Sequence, residues 1–299
     1  MENLKDLVRE INKHEVEVIK FVSKKNIDGG IEKDGFLISE NGNTTIIAPL
    51  ENEKVTFPED CKKLFKRFEK LQTIKDEENV IDVSNVTDMY GMFEKCSSLN
   101  DIEFLGKWDV TNVLDVVYMF DSCSNLTDIT PLKNWDVSNV LEMNCMFARC
   151  SNLTDITPLK NWDVSNVKSL HGMFGDCKSL ENIEPLKNWD VSNVQNTSHM
   201  FYGCEKLQSV EPLKNWDMTN VATIQNMFYF CKNLKTIEPL KKWDTSNVDR
   251  IGHIFQYCES LENAEVLKIW DTSNVKYFTN AIHGCLKLEE TDIKKFLGI

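Results

Sequence analysis

The feature that most constrains this chain is a stretch of eighteen residues that occurs twice without a change. CSNLTDITPLKNWDVSNV runs from Cys123 to Val140 and again from Cys150 to Val167, an offset of 27 residues. The same offset aligns seven tryptophans and eight cysteines in two columns: Trp108, Trp135, Trp162, Trp189, Trp216, Trp243 and Trp270, and Cys96, Cys123, Cys150, Cys177, Cys204, Cys231, Cys258 and Cys285. A fixed period of about 20 to 50 residues is typical of repeat proteins, in which neighbouring units stack and share one core.

The repeat register divides the chain into three parts. Units that follow one template fill residues 80–290, which predicts a solenoid of about eight coils. Residues 1–79 are predicted to form an N-terminal α/β cap. The template has decayed by residues 291–299, which are predicted to form a C-terminal cap with Thr291 as the N-cap of a short closing helix.

Three elements are predicted within the N-terminal cap. Apolar residues at helical spacing predict an amphipathic helix over residues 1 to about 25: Leu4, Leu7, Val8, Ile11, Val18, Ile19 and Val22. Residues 36–39 and 44–47 flank Asn41-Gly42, which predicts a β-hairpin because both turn residues tolerate a positive φ. A degenerate entry coil is predicted from four apolar residues that precede their template positions by 28 residues: Phe65, Phe68, Leu71 and Ile74.

Each unit reads W-D-x-S/T-N-V, five variable residues, then M-F-x-x-C-x-x-L-x-x-I-x-x-L. This pattern predicts a short parallel strand at Leu-x-x-Ile, which the following Pro closes because proline cannot donate to a ladder. A second extended piece is predicted near Asn-Val-x-x-Met, and one helical turn at M-F-x-x-C. In the unit that starts at Trp135, the predicted inward side chains are Trp135, Val137, Val140, Met146, Phe147, Cys150, Leu153, Ile156 and Leu159.

These strings resemble the BspA-like leucine-rich repeats of bacterial surface proteins, whose units have about 26 residues. The resemblance covers residues 80–290 and rests on W-D-x-S-N-V followed by M-F-x-x-C-x-x-L. It implies a leucine-rich-repeat fold with a role in adhesion or protein binding and no shared active site. Two departures are a 27-residue unit, caused by Ile-x-x-Leu, and the lack of a signal sequence or lipid-bearing Cys.

Composition and charge disfavour several function classes. The 47 Asp and Glu residues outnumber the 34 Lys and Arg residues, and the formal charge of −13 disfavours nucleic acid and favours a protein partner, in particular a basic one. Neither a secretory signal nor membrane insertion is predicted. We therefore expect a cytoplasmic protein, or a cell-surface or secreted one if a signal was removed. Phosphate-binding loops, nucleophile motifs and metal-spaced His pairs are missing, which predicts a non-catalytic chain without a cofactor or metal.

The repeated Cys, Trp and Asp columns each allow two interpretations. The Cys column is predicted to be a row of small buried apolar side chains, with disulfides or a metal as the alternative; Cys61 and Cys145, outside the column, are expected to be more reactive. Core packing is favoured for the Trp column over an exposed ladder for sugars or single strands. Asp136, Asn139 and their equivalents are predicted to form Asx-type turns and contacts between coils, with a calcium ladder as the alternative.

Two variable surfaces are candidate partner-binding sites. Positions beside the strand Ile form an acidic stripe on the predicted sheet face: Asp101, Glu103, Asp128, Asp155, Glu184, Glu211, Glu238 and Glu265. Aromatic residues after Met-Phe in later units form a second patch: Tyr202, Tyr229, Phe230 and Tyr257. The alternatives are a solvated face for the stripe and partial burial against a cap for the patch. We expect a protein-binding module that uses one or both surfaces, or alternatively a bacterial surface adhesin or structural module that binds host protein or glycan.

Overall fold

The computed structural model describes residues 3–51 and 53–288. The chain begins with helix α1 at Asn3–Glu10 and has a short 3-10 helix at Lys24–Asn26. The strands are β1 Val18–Phe21, β2 Ile31–Lys33, β3 Phe36–Asn41, β4 Thr44–Pro49, β5 Val55–Thr56, β6 Thr73–Lys75 and β7 Ile81–Asp82. The closing helix predicted to start at Thr291 lies outside the described residues.

Most of these strands form one sheet in the order β2-β3-β4-β1-β6, and β5 pairs separately with β7. The predicted hairpin is confirmed as β3 and β4, with Asn41 opposite Thr44. Its turn is therefore Gly42 and Asn43, one residue later than predicted, and Gly42 adopts the left-handed φ of 58°. Strand β1 lies parallel to both β4 and β6. Because β6 belongs to the entry coil, this pairing joins the cap to the repeat array.

The predicted N-terminal helix is wrong beyond Glu10. Helix α1 buries Leu4, Leu7 and Val8, whereas residues 18–21 form β1, in which half-buried and buried side chains alternate. The apolar residues of a helix and of the strand that follows it thus combined into a spacing that is typical of one longer helix. Residues 18–21 form a strand because their alternating burial suits pairing with β4 on one side and β6 on the other.

From the entry coil onward the chain forms a repeat array in which each unit pairs in parallel with the next. Isolated parallel bridges join one column of consecutive units: Asp60, Asp88, Asp115, Glu142, Ser169, Asn196, Thr223, Arg250 and Tyr277. Beyond each bridge, alternate N–H groups donate to carbonyls of the next unit; Gly172 donates to Ser198 at 2.9 Å and Phe174 to Met200 at 2.9 Å. This ladder lies where the second extended piece is predicted.

The strand predicted around Ile129, Ile156 and Ile183 is absent from the described residues, and each of these Ile residues immediately precedes a 3-10 helix. The seven 3-10 helices of the described array are Glu103–Lys107, Thr130–Asn134, Thr157–Leu159, Glu184–Asn188, Glu211–Leu213, Glu238–Lys242 and Glu265–Lys268. Most have Pro in the first turn, where its fixed φ and missing N–H suit a helix start better than a strand.

The predicted helical turn at M-F-x-x-C is also wrong, because one residue of this segment and the residue just before it are left-handed in every described unit. They lie five residues and one residue before the column Cys; before Cys204 they are His199, with φ 59°, and Gly203, with φ 69°. Many are not glycine, including Lys95, Arg149, Phe230 and Tyr257. Between these two left-handed residues, Met200 and Phe201 are buried and Tyr202 reaches the surface.

The template columns form one continuous core. Phenylalanine rings from Phe65 to Phe255 stack in a single row with centroids 5.4–5.9 Å apart. Every predicted inward side chain of the unit at Trp135 is buried, and the Trp column is only 4–6% exposed, so its predicted core packing is confirmed. None of the helices among the described residues has the length and apolar character to span a membrane.

Candidate functional site

The four aromatic residues predicted as a patch form one contiguous group, here called the aromatic cluster: Tyr202, Tyr229, Phe230 and Tyr257. Tyr202 and Tyr229 stack with centroids 4.8 Å apart and planes 2° apart. Tyr229 lies 5.4 Å from Phe230 and meets Tyr257 edge-on at 5.6 Å. All four rings are half-buried. The predicted clustering is confirmed, and the binding role stays a prediction.

The turn backbone explains why these rings reach the surface. Phe230 and Tyr257 directly precede a column Cys and have left-handed φ values of 63° and 59°. Tyr202 and Tyr229 lie one position earlier, after the buried Phe of their units. Because the column positions repeat from unit to unit, variable aromatic residues in adjacent units must lie side by side.

Imidazole rings and an ammonium group extend the aromatic cluster. The His199 ring lies 5.8 Å from Tyr202, and the His283 ring continues the row beyond the other end. Lys232 places its Nζ 4.7 Å above the Phe230 ring, a cation–π contact. The surface therefore combines apolar rings with hydroxyl groups and a cation.

His199 is embedded in a polar network beside the aromatic cluster. Its Nε2 lies 3.0 Å from Asn226 Nδ2, which can only donate, so the proton of the neutral ring is on Nδ1. That Nδ1 is buried and has no hydrogen-bond partner in the described part of the chain. Burial, followed by the neighbouring His171 ring, lowers the pKa of His199 to about 4. Burial also lowers the pKa of His171, so both rings are neutral at neutral pH.

The glutamates of the predicted acidic stripe lie on 3-10 helices rather than on a sheet face. Glu103, Glu184, Glu211, Glu238 and Glu265 each open one of these helices and are exposed. All except Glu103 pair with the Lys three residues later, at 2.5 Å for Lys187 and Lys214, 2.9 Å for Lys241 and 2.8 Å for Lys268. These pairs offset much of the negative charge of the stripe. Its role as a binding surface stays a prediction.

The aspartates of the same stripe hold the starts of the 3-10 helices. Asp101 accepts the N–H of Glu103 at 3.0 Å, and Asp128 and Asp155 accept the equivalent N–H groups at 2.8 Å. Asp101 also pairs with Lys75 Nζ at 2.6 Å. The hydroxyl and backbone hydrogen bonds from Thr130 lower the pKa of Asp128. These carboxylates therefore have a structural role that the sequence pattern did not reveal.

A known family model matches the array described above. The model of the family described as Mycoplasma protein of unknown function, DUF285, matches residues 59–158, 129–237 and 232–297, which together exceed half of the chain. The chain belongs to the DUF285 family. Its first match starts in the entry coil, so the family's repeated region includes that degenerate unit. Comparisons with curated proteins and with solved structures found no match.

In this DUF285 array the cysteines are packing residues that also cap backbone carbonyls. Each column thiol is buried and donates to the carbonyl of the Phe one unit earlier, as Cys150 does to Phe120 at 3.2 Å. The predicted burial of the column is confirmed. Cys61 and Cys145 are buried too, and burial raises the pKa of Cys61 to about 12 and raises that of Cys145 as well. Their higher reactivity relative to the column thiols stays a prediction.

The Asp and Asn of the D-x-S/T-N motif behave as predicted for a structural role in the DUF285 unit. Asp136 Oδ1 accepts both the N–H and the hydroxyl of Ser138, at 3.0 and 2.6 Å, an Asx-type turn. Asn139 donates to the carbonyl of Thr111 in the previous unit at 2.8 Å. In residues 3–51 and 53–288, no three His, Cys, Asp or Glu side chains converge as metal ligands.

One surface was missed by the sequence reasoning. Asp60, Asp88, Asp115 and Glu142 occupy consecutive positions of the bridge column. The residues just before the last two, Leu114 and Leu141, are 45% and 44% exposed. A signal was present, since these acids stand 28, 27 and 27 residues apart. However, Asp88, Asp115 and Glu142 fall in the five variable residues that the template left unassigned, and Asp60 lies in the entry coil.

Proposed function

We propose that the chain is a non-catalytic protein-binding module, and that the aromatic cluster is the centre of its binding surface. The observation that carries this proposal is the contiguity of four half-buried rings on one face of a rigid array. Tyr and Phe are enriched in the energetically dominant parts of interfaces because they bury a large area with little loss of side-chain freedom.

The ring geometry supports a protein ligand over a sugar or a nucleic-acid base. Tyr229 has Tyr202 stacked on it at 4.8 Å and Phe230 stacked at 5.4 Å. A sugar or a base that stacks needs a free ring face. The cluster instead offers ring edges and hydroxyl groups, which suit apolar side chains and carbonyl acceptors of a polypeptide.

The fold that we propose is a leucine-rich-repeat solenoid of the BspA-like kind. This proposal is supported by the motif resemblance, the 27-residue spacing of the parallel bridges and the single core that all units share. Repeat arrays of this type present long, rigid surfaces whose outward positions vary while the core does not. The same resemblance favours a second candidate function, a bacterial surface adhesin or structural module that binds host protein or glycan.

We test the proposal with substitutions that other units already carry at the same positions. The triple variant is Tyr202→Gln, Tyr229→Gln and Phe230→Ser. Gln256 occupies the position of Tyr202 and Tyr229 in another unit, and Ser122 occupies that of Phe230, so these changes should preserve the fold. The control Tyr277→Thr removes a 57% exposed ring outside the aromatic cluster. Each protein is immobilised and exposed to source-cell lysate at low and high salt, and the retained proteins are quantified by mass spectrometry.

Support would be a protein that the wild type and the Tyr277 variant retain at high salt and that the triple variant loses. Retention at high salt is the informative condition, because salt screens exposed charge pairs but not apolar contacts. Equal retention by the triple variant, at an unchanged unfolding midpoint, would refute the aromatic surface. Retention of host glycan rather than protein would favour the adhesin candidate.

A further inference from the structure

The bridge column contains four consecutive acidic residues, here called the ladder acids: Asp60, Asp88, Asp115 and Glu142. Parallel bridges connect Asp60 to Asp88, Asp88 to Asp115, and Asp115 to Glu142. From Ser169 onward the same column is neutral or basic. The ladder acids therefore form a local row of carboxylates in the N-terminal half of the array.

The first two ladder acids each bind a lysine of the chain itself. Asp60 Oδ1 accepts the N–H of Lys62 at 2.8 Å, while Oδ2 binds Lys5 Nζ at 2.8 Å. Asp88 follows the same scheme: Oδ1 accepts the N–H of Tyr90 at 3.0 Å, and Oδ2 binds Lys62 Nζ at 2.8 Å. One carboxylate oxygen thus holds the local turn, and the other binds an ammonium group.

Asp115 keeps the first half of this scheme, Glu142 replaces the backbone N–H by a side-chain amide, and both lack the ion pair. Asp115 Oδ1 accepts the N–H of Val117 at 2.8 Å, and Glu142 Oε2 accepts Asn144 Nδ2 at 3.0 Å. In the part of the chain that the structure describes, no Lys or Arg forms an ion pair with either carboxylate. Each therefore presents a second carboxylate oxygen that forms no ion pair within the described part of the chain.

The electrostatics of the column agree with a missing cation at Asp115. Burial acts to raise the pKa of Asp60, but the hydrogen bonds from Lys5 and Lys62 outweigh it and keep that pKa below its usual value. Burial raises the pKa of Asp115, and the negative charge of Asp88 adds to the increase. The hydrogen bond from the Val117 N–H and the charge of Lys62, which pairs with Asp88, offset only part of this increase. Asp115 is thus more buried than Asp60 and has no ammonium group paired with it.

Two exposed leucines lie beside the unpaired acids. Leu114 and Leu141 are 45% and 44% exposed, and Leu141 N donates to Leu114 O at 3.0 Å, which puts them on adjacent rungs. The other members of their column carry no large apolar side chain: Glu59, Thr87, Lys168, Gln195, Ala222, Asp249 and Lys276. The apolar pair thus coincides with the two carboxylates that have no lysine.

We propose that Leu114, Leu141, Asp115 and Glu142 form a docking surface for a basic amphipathic segment of a partner protein. Lys or Arg side chains of the partner continue the series that Lys5 and Lys62 begin, and its apolar side chains cover the leucines. The inference rests on the proposed protein-binding function, but it uses residues outside the aromatic cluster. A simple polyvalent cation would use the carboxylates and leave the leucines exposed.

The test selects ligands for the full chain from a random-peptide display library and measures their Kd by fluorescence anisotropy. We expect enriched peptides to combine Lys or Arg with Leu, Ile or Phe. The variants are Asp115→Asn with Glu142→Gln, and Leu114→Thr with Leu141→Thr, which copies Thr87. The control is Glu181→Gln with Glu262→Gln, a change of the same net charge at exposed glutamates elsewhere.

We expect each docking-surface variant to bind the selected peptide about tenfold more weakly, and the control to bind it as the wild type does. Equal binding by the acid variant, or enriched peptides without basic residues, would overturn the inference. So would displacement of the peptide by spermine combined with unchanged binding by the leucine variant, which would show a simple cation site. A wild-type dimer that the leucine variant abolishes would assign the surface to a second copy of the chain instead.

The two proposals fail separately. The aromatic triple variant should bind the selected peptide with wild-type affinity, because it leaves the ladder acids unchanged. If lysate capture depends on the aromatic cluster while no basic peptide binds, only the docking surface is refuted. If the peptide binds at the ladder acids and capture is insensitive to the aromatic cluster, only the aromatic surface is refuted.

Discussion

The indole Nε1 of Trp162 donates a 3.1 Å hydrogen bond to the carbonyl oxygen of Leu132, thirty residues earlier in the chain. The same contact recurs from Trp135 to Trp270. It connects the middle of one 3-10 helix to the Trp that follows the next 3-10 helix of the array, through a buried side chain. Trp108, the first member of the column, is the exception: its Nε1 is buried and has no hydrogen-bond partner among the described residues.

This difference predicts unequal costs for one substitution at two equivalent positions. Trp162→Phe removes a buried hydrogen bond, whereas Trp108→Phe removes an unsatisfied buried N–H and a similar apolar volume. We expect the free energy of unfolding to fall about 1 to 3 kcal/mol further for Trp162→Phe than for Trp108→Phe. Denaturant unfolding measures this difference in the free energy of unfolding, provided that the m-value is the same for both variants. Equal losses at the two positions would mean that the indole hydrogen bond contributes nothing.

Burial of the cysteines predicts slow thiol chemistry in the native chain. All ten cysteines are buried, and Cys145, at 9% exposed, is the most accessible among them. Burial, followed by the charge of Asp121, raises the pKa of the Cys145 thiol, which reduces the reactive thiolate. We expect a disulfide reagent to label Cys145 first and far more slowly than in denatured protein. Cys145→Ala should abolish the earliest phase; two or more rapidly labelled thiols would contradict this burial.

The period in the sequence was sufficient to predict which side chains are buried, because a column repeated every 27 residues must occupy one place in each stacked unit. It also placed the aromatic cluster, and the Asp136 turn followed from local D-x-S chemistry. Backbone conformation was harder to predict. Lys95 and Arg149 are left-handed without being glycine, because contacts between units impose that conformation.

Ion pairs between residues close in the sequence could be predicted, and ion pairs between distant residues could not. The pair of Glu184 and Lys187 could have been predicted from its spacing of three residues on one helix. The pair of Lys5 and Asp60 could not, since it brings helix α1 onto the entry coil across 55 positions of sequence. The proposed docking surface was missed for the same reason: its acids stand out only by comparison with Asp60, whose lysine partner is distant in the sequence.

The left-handed backbone itself gives a prediction at Lys95, whose φ is 65°. A β-branched residue is strained in this region, so Lys95→Val should lower the free energy of unfolding by about 1 to 2 kcal/mol. Lys95→Gly should change it by less than about 1 kcal/mol, because glycine accepts the conformation but is more flexible when unfolded. Lys160, exposed with φ −54°, provides the control. Similar losses for Lys95→Val and Lys160→Val would rule out strain at Lys95.

The half-buried imidazole of His199 predicts a loss of stability in mild acid. Its pKa of about 4 in the folded chain lies below the ordinary value of 6.5. As the pH falls from 6.5 toward 4, the unfolded chain binds a proton at this position and the folded chain does not. The stabilisation present above pH 6.5 is therefore lost across this window, by at most about 1.4 kcal/mol per pH unit for each such group.

His199→Asn isolates this contribution, because Asn226 and Asn280 occupy the same left-handed position in other units. The variant should retain a pH-dependent loss from His171, whose pKa is also lowered by burial, but the loss should be shallower than in the wild type. Urea unfolding between pH 7 and pH 5 measures the two slopes, and measurements at pH 8, where neutral imidazoles predominate in both states, give the reference stability of each protein. If the free energy of unfolding of the two proteins depended on pH with the same slope, His199 would take up its proton equally in the folded and unfolded chain. The assignment of a neutral His199 ring beside Tyr202 would then be wrong.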